Sequence, residues 1–260
     1  GLLLLGVALA AWVSYAAGHA QQNARDILQT LRDEGLRTDW PTETTQHWFL
    51  IRRDNGSRDW EVTRRWFRNG VYHGLRVTQT SEGSQWERWR IADDLSAGLY
   101  RAGTFVRGFG GLVPDPDTRI ALSAEGLDVR QTHPETGQKR RSSTPEPPAG
   151  YLPEGTWSAV RLLVARRETA AQFQVIYNAI LPRGDSDEPR FFGILLEADG
   201  TATWEGRERG RIRSRLLGRE KTLLIDEHGD VLRATGPGSE QERVSRDKLR
   251  GYIGPLEDID

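Results

Sequence analysis

The chain has 260 residues, 37% hydrophobic and 28% charged, which is enough for one sizeable core. Its 36 basic residues nearly balance 37 acidic ones, so bulk charge favours neither nucleic acid nor acidic lipid. The absence of cysteine excludes disulfides, thiolate nucleophiles, iron–sulfur clusters, thiolate metal sites and an acylated lipoprotein terminus.

From Gly1 to Ala24 there is no Asp, Glu, Lys or Arg. Crossing a bilayer takes about 20 mostly apolar residues. The run predicts a transmembrane anchor over 1–24, carried by Leu2, Leu3, Leu4, Leu5, Val7, Leu9, Trp12, Val13 and Tyr15. Trp12 and Tyr15 are placed like interfacial aromatics. A cleaved signal peptide fits less well, because no basic segment precedes the apolar run; a helix buried in the core is the third alternative. A type IV pilin stem is rejected, since Gly1 and Leu5 stand where an aromatic residue and a Glu belong.

Beyond the anchor, Ala24, Ile27, Leu28 and Leu31 fall at i, i+3, i+4 and i+7, one helical stripe. An amphipathic stalk over 25–39 is expected, which Gly35 weakens or ends. The stripe either docks on its own domain or packs on another subunit, and the second makes it a partner-helix site.

Trp40-Pro41 breaks the helix, and a β domain is expected over 40–260. His47–Arg53, Trp60–Arg68, Val71–Thr80 and Gln85–Ile91 read as strands separated by turns at Asn55-Gly56, Asn69-Gly70 and Gly83-Ser84. Asn-Gly is a strong hairpin signal, because a type I′ turn needs positive φ at both central residues. Within the second strand Trp60, Val62, Arg64 and Trp66 share one face, and Glu61, Thr63, Arg65 and Phe67 the other.

A short helix is expected within Asp93–Ala102, then a loop over Gly108–Gly111 and Pro114–Asp117. Strands follow at Arg119–Leu122 and Leu127–Gln131. Residues 133–150, rich in Pro, Ser, Thr and charge, read as an exposed loop. Thr156 is placed to cap a helix over Thr156–Glu168 that plugs the open side of the sheet. Further strands are expected at Ala171–Leu181, Arg190–Ala198, Thr201–Arg207, Arg211–Leu217, Lys221–Asp226 and Val231–Thr235, and Ser239–Tyr252 reads as a terminal surface helix. The fold class is therefore α+β: an N-terminal transmembrane helix, then a large curved antiparallel sheet with a packed helix.

At Leu223–Arg233 the pattern Asp226-x-x-Gly229-x-Val231-Leu232 resembles the closing hairpin of half-open β-barrel extracytoplasmic proteins related to the periplasmic lipoprotein carrier. The resemblance implies a half-barrel wrapped around a helix plug, with a cavity that holds acyl chains in some members.

Chemistry-bearing patterns are sparse. His19, His47, His73, His133 and His228 show no HxH, HExxH or i,i+4 spacing. Asp115-Pro116-Asp117 opens like a calcium loop, but Arg119 stands where the third oxygen ligand belongs. Gly-x-Ser-x-Gly is absent, and nothing pairs Glu205, Glu208, Glu220 and Glu227 at glycosidase separation. The lysines are only Lys139, Lys221 and Lys248; the arginine excess is ascribed to a GC-rich genome ahead of bidentate anion recognition. No catalytic residue, metal or cofactor is expected. The expected role is a non-catalytic, single-pass membrane-anchored accessory or scaffold subunit with its main domain extracytoplasmic. Its expected partners are the bilayer and, through the N-terminal helix, other membrane-complex subunits, with no nucleic acid. A lipid- or hydrophobic-ligand-binding half-barrel is the alternative, and an envelope hydrolase ranks last.

Overall fold

The structure is a computed structural model. It describes residues 2–38, 40–80, 83–108, 111–132, 137–176 and 188–249, without the side chains of 2–13, 106–108 and 111–116. Helix α1 (Leu2–Glu34) leads into a 3-10 turn (Leu36–Thr38) and eight strands: β1 (Thr45–Arg53), β2 (Arg58–Arg68), β3 (Val71–Thr80), β4 (Gly83–Ala92), β5 (Gly98–Gly108), β6 (Gly111–Ser123), β7 (Gly126–Thr132) and β8 (Lys139–Thr144). Helix α2 (Trp157–Arg166) precedes β9 (Ala170–Ile176), β10 (Phe191–Trp204), β11 (Arg207–Leu216), β12 (Arg219–Ile225), β13 (Val231–Gly236) and β14 (Ser239–Val244). A last turn of helix, α3, covers Arg246–Leu249.

All 14 strands form one antiparallel sheet in the order β8-β7-β6-β5-β4-β3-β2-β1-β14-β13-β12-β11-β10-β9. Two meanders run outward from the centre, and β14 against β1 is the seam where the first and last strands meet. The two ends of the sheet approach each other. Gln174 of β9 donates to the Gly150 carbonyl at 2.8 Å, and Leu152 donates back to the Gln174 carbonyl at 2.8 Å. This short parallel bridge nearly closes the sheet into a barrel. A buried cluster of Trp89, Tyr100, Ile120, Leu127, Val129, Tyr151 and Ile176 packs across the closure.

Two helices fill the interior. α1 packs chiefly on β9, the terminal strand, and α2 on β10 and β11. Covering a terminal strand hides the unpaired backbone groups that would otherwise recruit another chain. Asn23 fixes the fit, donating to the Thr169 hydroxyl at 2.7 Å and the Ala170 carbonyl at 2.9 Å.

The stripe Ala24, Ile27, Leu28 and Leu31 is therefore not a partner-helix surface. It is fully buried in the chain's own core, with Val160, Val164, Phe173, Leu196 and Ile212 around it. Residues 25–34 form no stalk, because four apolar side chains on one face are better covered by the barrel than by water. Upstream the helix emerges: Ser14 to His19 are exposed, Tyr15 at 67%. The side chains of the expected anchor residues Leu2, Leu3, Leu4, Leu5, Val7, Leu9, Trp12 and Val13 lie outside the described residues. Among the described residues no helix is long and apolar enough to cross a membrane.

The first four strands fall within a few residues of expectation. Five expectations are overturned. Asp93–Ala102 is a turn and the start of β5, not a helix, with Ala92 and Asp93 tied back by hydrogen bonds to Ala97 and Gly70. The exposed loop over 133–150 contains β8, paired to β7 from Leu127↔Thr144 to Thr132↔Lys139. Ser239–Val244 is a strand, because β1 and β13 offer it hydrogen-bonding partners on both sides. Asp115, Pro116 and Asp117 stand within β6, and the two strands expected at Arg190–Ala198 and Thr201–Arg207 are one, β10 (Phe191–Trp204), with a bulge between Ala198 and Thr201.

Candidate functional site

Inward-facing charge concentrates where α2 meets β1 to β5. Strand alternation puts Glu61, Thr63 and Arg65 of β2 on the inner face, along with His47 of β1, Arg76 of β3 and Glu87 of β4. These line or adjoin a cavity of about 60 Å³ closed by Trp89, Tyr100, Glu154, Trp157, Ser158, Arg161 and Asp230. That space holds a few waters or one small ion, well short of the several hundred Å³ of a typical small-molecule site.

Asp230 is the hub. Arg65 grips it in bidentate fashion, Nη1 to Oδ1 at 3.0 Å and Nη2 to Oδ2 at 3.1 Å. Ser158 donates its hydroxyl to Oδ1 at 2.6 Å, and His47 Nε2 lies 3.3 Å from Oδ2. Burial alone would raise the pKa of this carboxyl. The hydrogen bond from His47, the Arg65 charge and the Ser158 hydroxyl outweigh it and hold the group well below the usual carboxylate range. Asp230 also faces the first turn of α2, where the helix dipole favours an anion.

The turn carrying Asp230 is locked by its neighbours. Asp226 Oδ1 accepts the backbone N–H of His228 and of Asp230, both at 3.0 Å. Arg243 of β14 donates to Asp226 Oδ2 at 2.8 Å. Gly229 sits at φ +76, and a Cβ there would lie 2.0 Å from the Ser158 carbonyl oxygen. Only glycine lets this turn touch α2. The Asp-x-x-Gly pattern thus serves to dock the β12–β13 hairpin on the plug.

A second network surrounds Arg76. Its Nη1 donates to both Glu87 oxygens at 3.3 and 3.1 Å, and its Nε lies 3.7 Å from Glu61 Oε1. Glu61 also accepts from Thr78 and Gln241 at 3.3 and 3.2 Å. Burial raises the pKa of Glu61, and the Glu87 charge adds to this against the pull of Arg76. Glu154 is pushed up to about 7 by burial and by Glu87, although Trp157 Nε1 donates to it at 2.9 Å. Arg161 is pulled down to about 10 by burial and by repulsion from Arg76. Trp89 lies against Gly74, where a Cβ would stand 2.0 Å from the indole.

Three chemistries can be tested against this geometry. His47, Asp226 and Asp230 place one ligand atom each within 4.8 Å of one another. Yet Arg65 occupies both oxygens of Asp230 and Arg243 holds Asp226, so a cation would sit among guanidiniums. The group is an ion-pair network. Ser158, His47 and Asp230 contain the residue types of a catalytic triad, but in the wrong order. A nucleophilic serine must give its proton to histidine; here Ser158 gives its hydrogen bond to Asp230. Finally, Glu208, Glu220 and Glu227 are engaged with Thr201, Arg215 and Arg209 and pair with no second carboxylate.

Of the four histidines among the described residues, His47 alone brings its ring to this cluster, and His228 gives Asp226 only its backbone N–H. His19 meets Tyr15 edge-on, His73 stacks on Trp66, and His133 lies outside the described residues. The cluster itself escaped sequence reasoning. The face shared by Glu61, Thr63, Arg65 and Phe67 was legible, but not that this polar face turns inward.

No family model matches the sequence, and no curated protein matches it. Among solved structures, the chain is similar to a β-barrel-like protein of a domain of unknown function, DUF1849, from Brucella abortus. The TM-score is 0.51 and the identity 11%, over 78% of this chain and 95% of that one. At that identity the likeness concerns the fold alone: a large antiparallel sheet curved into a barrel-like body.

Proposed function

We propose that the chain is a non-catalytic, membrane-tethered binding body of the extracytoplasmic space, an accessory or scaffold component that acts through its outer surface. The observation that carries this reading is the commitment of the groups around Asp230 and Arg76 to one another. Ser158, His47 and Arg65 all converge on Asp230, and Arg76 on Glu61 and Glu87. A carboxylate held ionised by three donors is a structural anchor and a poor base. The apolar front of α1, beyond the point where Ser14 to His19 become exposed, is the part assigned to the bilayer and to neighbouring subunits.

The lipid-binding reading, which the lipoprotein-carrier resemblance suggests, ranks second. An acyl chain needs an apolar void, whereas the described interior is occupied by α1 and α2 and by charged side chains.

Carbonate extraction of membranes from cells making the full chain tests the tether. The chain stays in the pellet, and a Leu3→Arg/Leu5→Arg variant with an unchanged barrel moves to the supernatant. Full release of the parent chain by carbonate would remove the tether from the proposal. Turnover of ester or glycoside substrates that is abolished by Ser158→Ala would overturn the non-catalytic role.

A further inference from the structure

The outer face of β4 to β8 carries arginines in direct register. Arg88 stands opposite Arg101, Arg101 opposite Arg119, Arg119 opposite Arg130, and Arg130 opposite Arg141. Their sequence neighbours Trp89, Tyr100, Ile120 and Val129 point into the buried cluster, so alternation places the arginines outside. Adjacent strands lie about 4.8 Å apart, which spreads the five guanidinium stems over about 19 Å.

Like charges directly opposite each other destabilise a strand pair. Here four such pairs follow in succession, with little to offset them. Asp128 bonds the two arginines at one end, Arg130 at 3.0 Å and Arg141 at 2.6 Å. Among the described residues Arg88, Arg90, Arg101 and Arg119 make no ion pair. Arg90, His73 and Leu99 join Arg88 and Arg101 around a groove of about 310 Å³ on the same outer face. The basic field reaches His73, whose pKa is lowered first by burial and then by Arg88, Arg90 and Arg68. On the far side of the groove Trp66 stacks flat on His73, centroids 5.3 Å apart and planes 9° apart.

We propose that this row is a binding track for an extended acidic polysaccharide carrying carboxylates along its length. Arginine presents a planar fork that matches a carboxylate in bidentate fashion. A lone anion would need two such forks; an evenly spaced row calls for a repeating one. One sugar unit of an extended chain covers about the same length as one inter-strand step, about 5 Å. Shape separates this partner from other polyanions. The row crosses five of the 14 strands of a nearly closed sheet, so it bends around the barrel. A flat bilayer would touch only part of that arc, and a flexible chain can follow it. Single-stranded nucleic acid needs successive exposed rings for its bases. None of the large hydrophobic side chains exposed among the described residues belongs to this face.

The inference goes beyond the proposed tethering role and does not depend on it. The test is calorimetric titration of the full chain, in non-ionic detergent at low salt, with oligogalacturonate long enough to span five strands. Saturable binding that weakens with added salt is expected. Arg101→Gln/Arg119→Gln should bind about tenfold more weakly while melting no lower than the parent. Arg213→Gln, whose arginine is already paired with Asp199 at 2.8 Å on β11, should bind unchanged. Absence of binding, equal binding by the double variant, or equal binding of a neutral oligosaccharide of the same linkage would overturn the proposal. Tighter binding of polyphosphate, single-stranded DNA or anionic vesicles would overturn it as well.

Discussion

Inside the barrel and outside it, arginine is used in opposite ways. Arg65, Arg76 and Arg243 each meet a carboxylate of the interior network, on Asp230, Glu87 and Asp226. Arg88, Arg101 and Arg119 face only one another across the outer surface. An interior guanidinium without a partner carries a desolvation cost of several kcal/mol; Arg161, which lines the same cavity without an ion pair among the described residues, shows it in a pKa pulled down to about 10. Water and salt screen the outer row, so its repulsion costs far less. The difference teaches that the inner charges hold the helix plug to the sheet. In the outer row Asp128 holds Arg130 and Arg141, whereas Arg88, Arg101 and Arg119 make no ion pair among the described residues and stand open to an anion.

Removing the inner hub should produce the largest effect. Asp230→Ala leaves Arg65 buried without its carboxylate and should cost about 3–5 kcal/mol at neutral pH, read by urea unfolding. The Asp230 carboxyl lies below its ordinary value of 3.8 in the folded chain. Its contribution is therefore complete above that pH and is lost as pH falls further. The parent and variant curves should converge in acid; a gap that persists there would assign the loss to packing.

Gly229→Ala should come next, at about 3 kcal/mol, because its Cβ collides with the Ser158 carbonyl and forces an L-residue to positive φ. An unchanged melting temperature would mean that the hairpin does not rest on α2. Glu154→Gln sharpens the contrast through pH. The folded pKa of Glu154 is raised to about 7 from 4.5. The stability it contributes is complete below 4.5 and is lost as pH rises through 7. The variant should therefore be more stable than the parent at pH 8, by up to about 2 kcal/mol, and equal to it near pH 4. Smallest of all, Arg101→Gln should leave stability unchanged or raise it by about 0.3 kcal/mol through relief of repulsion. A clear loss of stability would give the outer row a structural role.

Much of the sheet was readable because hairpins are local. Asn69-Gly70 and the runs around it placed β2 and β3 to within two residues, and Asp226-x-x-Gly229 marked the β12–β13 turn. The errors share one cause. Asp93–Ala102, residues 139–144 and Ser239–Val244 are polar or weakly patterned stretches. They became β5, β8 and β14 because neighbouring strands supplied hydrogen-bonding partners, which no local window contains. The interior site was hidden by the same limit. Arg65 and Asp230 are 165 positions apart and meet only through the closed sheet and α2.

By itself the sequence determined the antiparallel hairpins, the plug helix, the apolar leading helix and the absence of any cysteine chemistry. Each of these follows from composition or from periodicity along a few residues. Tertiary structure decided which face of each strand turns inward, that Ala24, Ile27, Leu28 and Leu31 serve the chain's own core, and that five arginines align across β4 to β8. Those outcomes depend on register and closure, and register is fixed by the sum of pairings across the whole sheet.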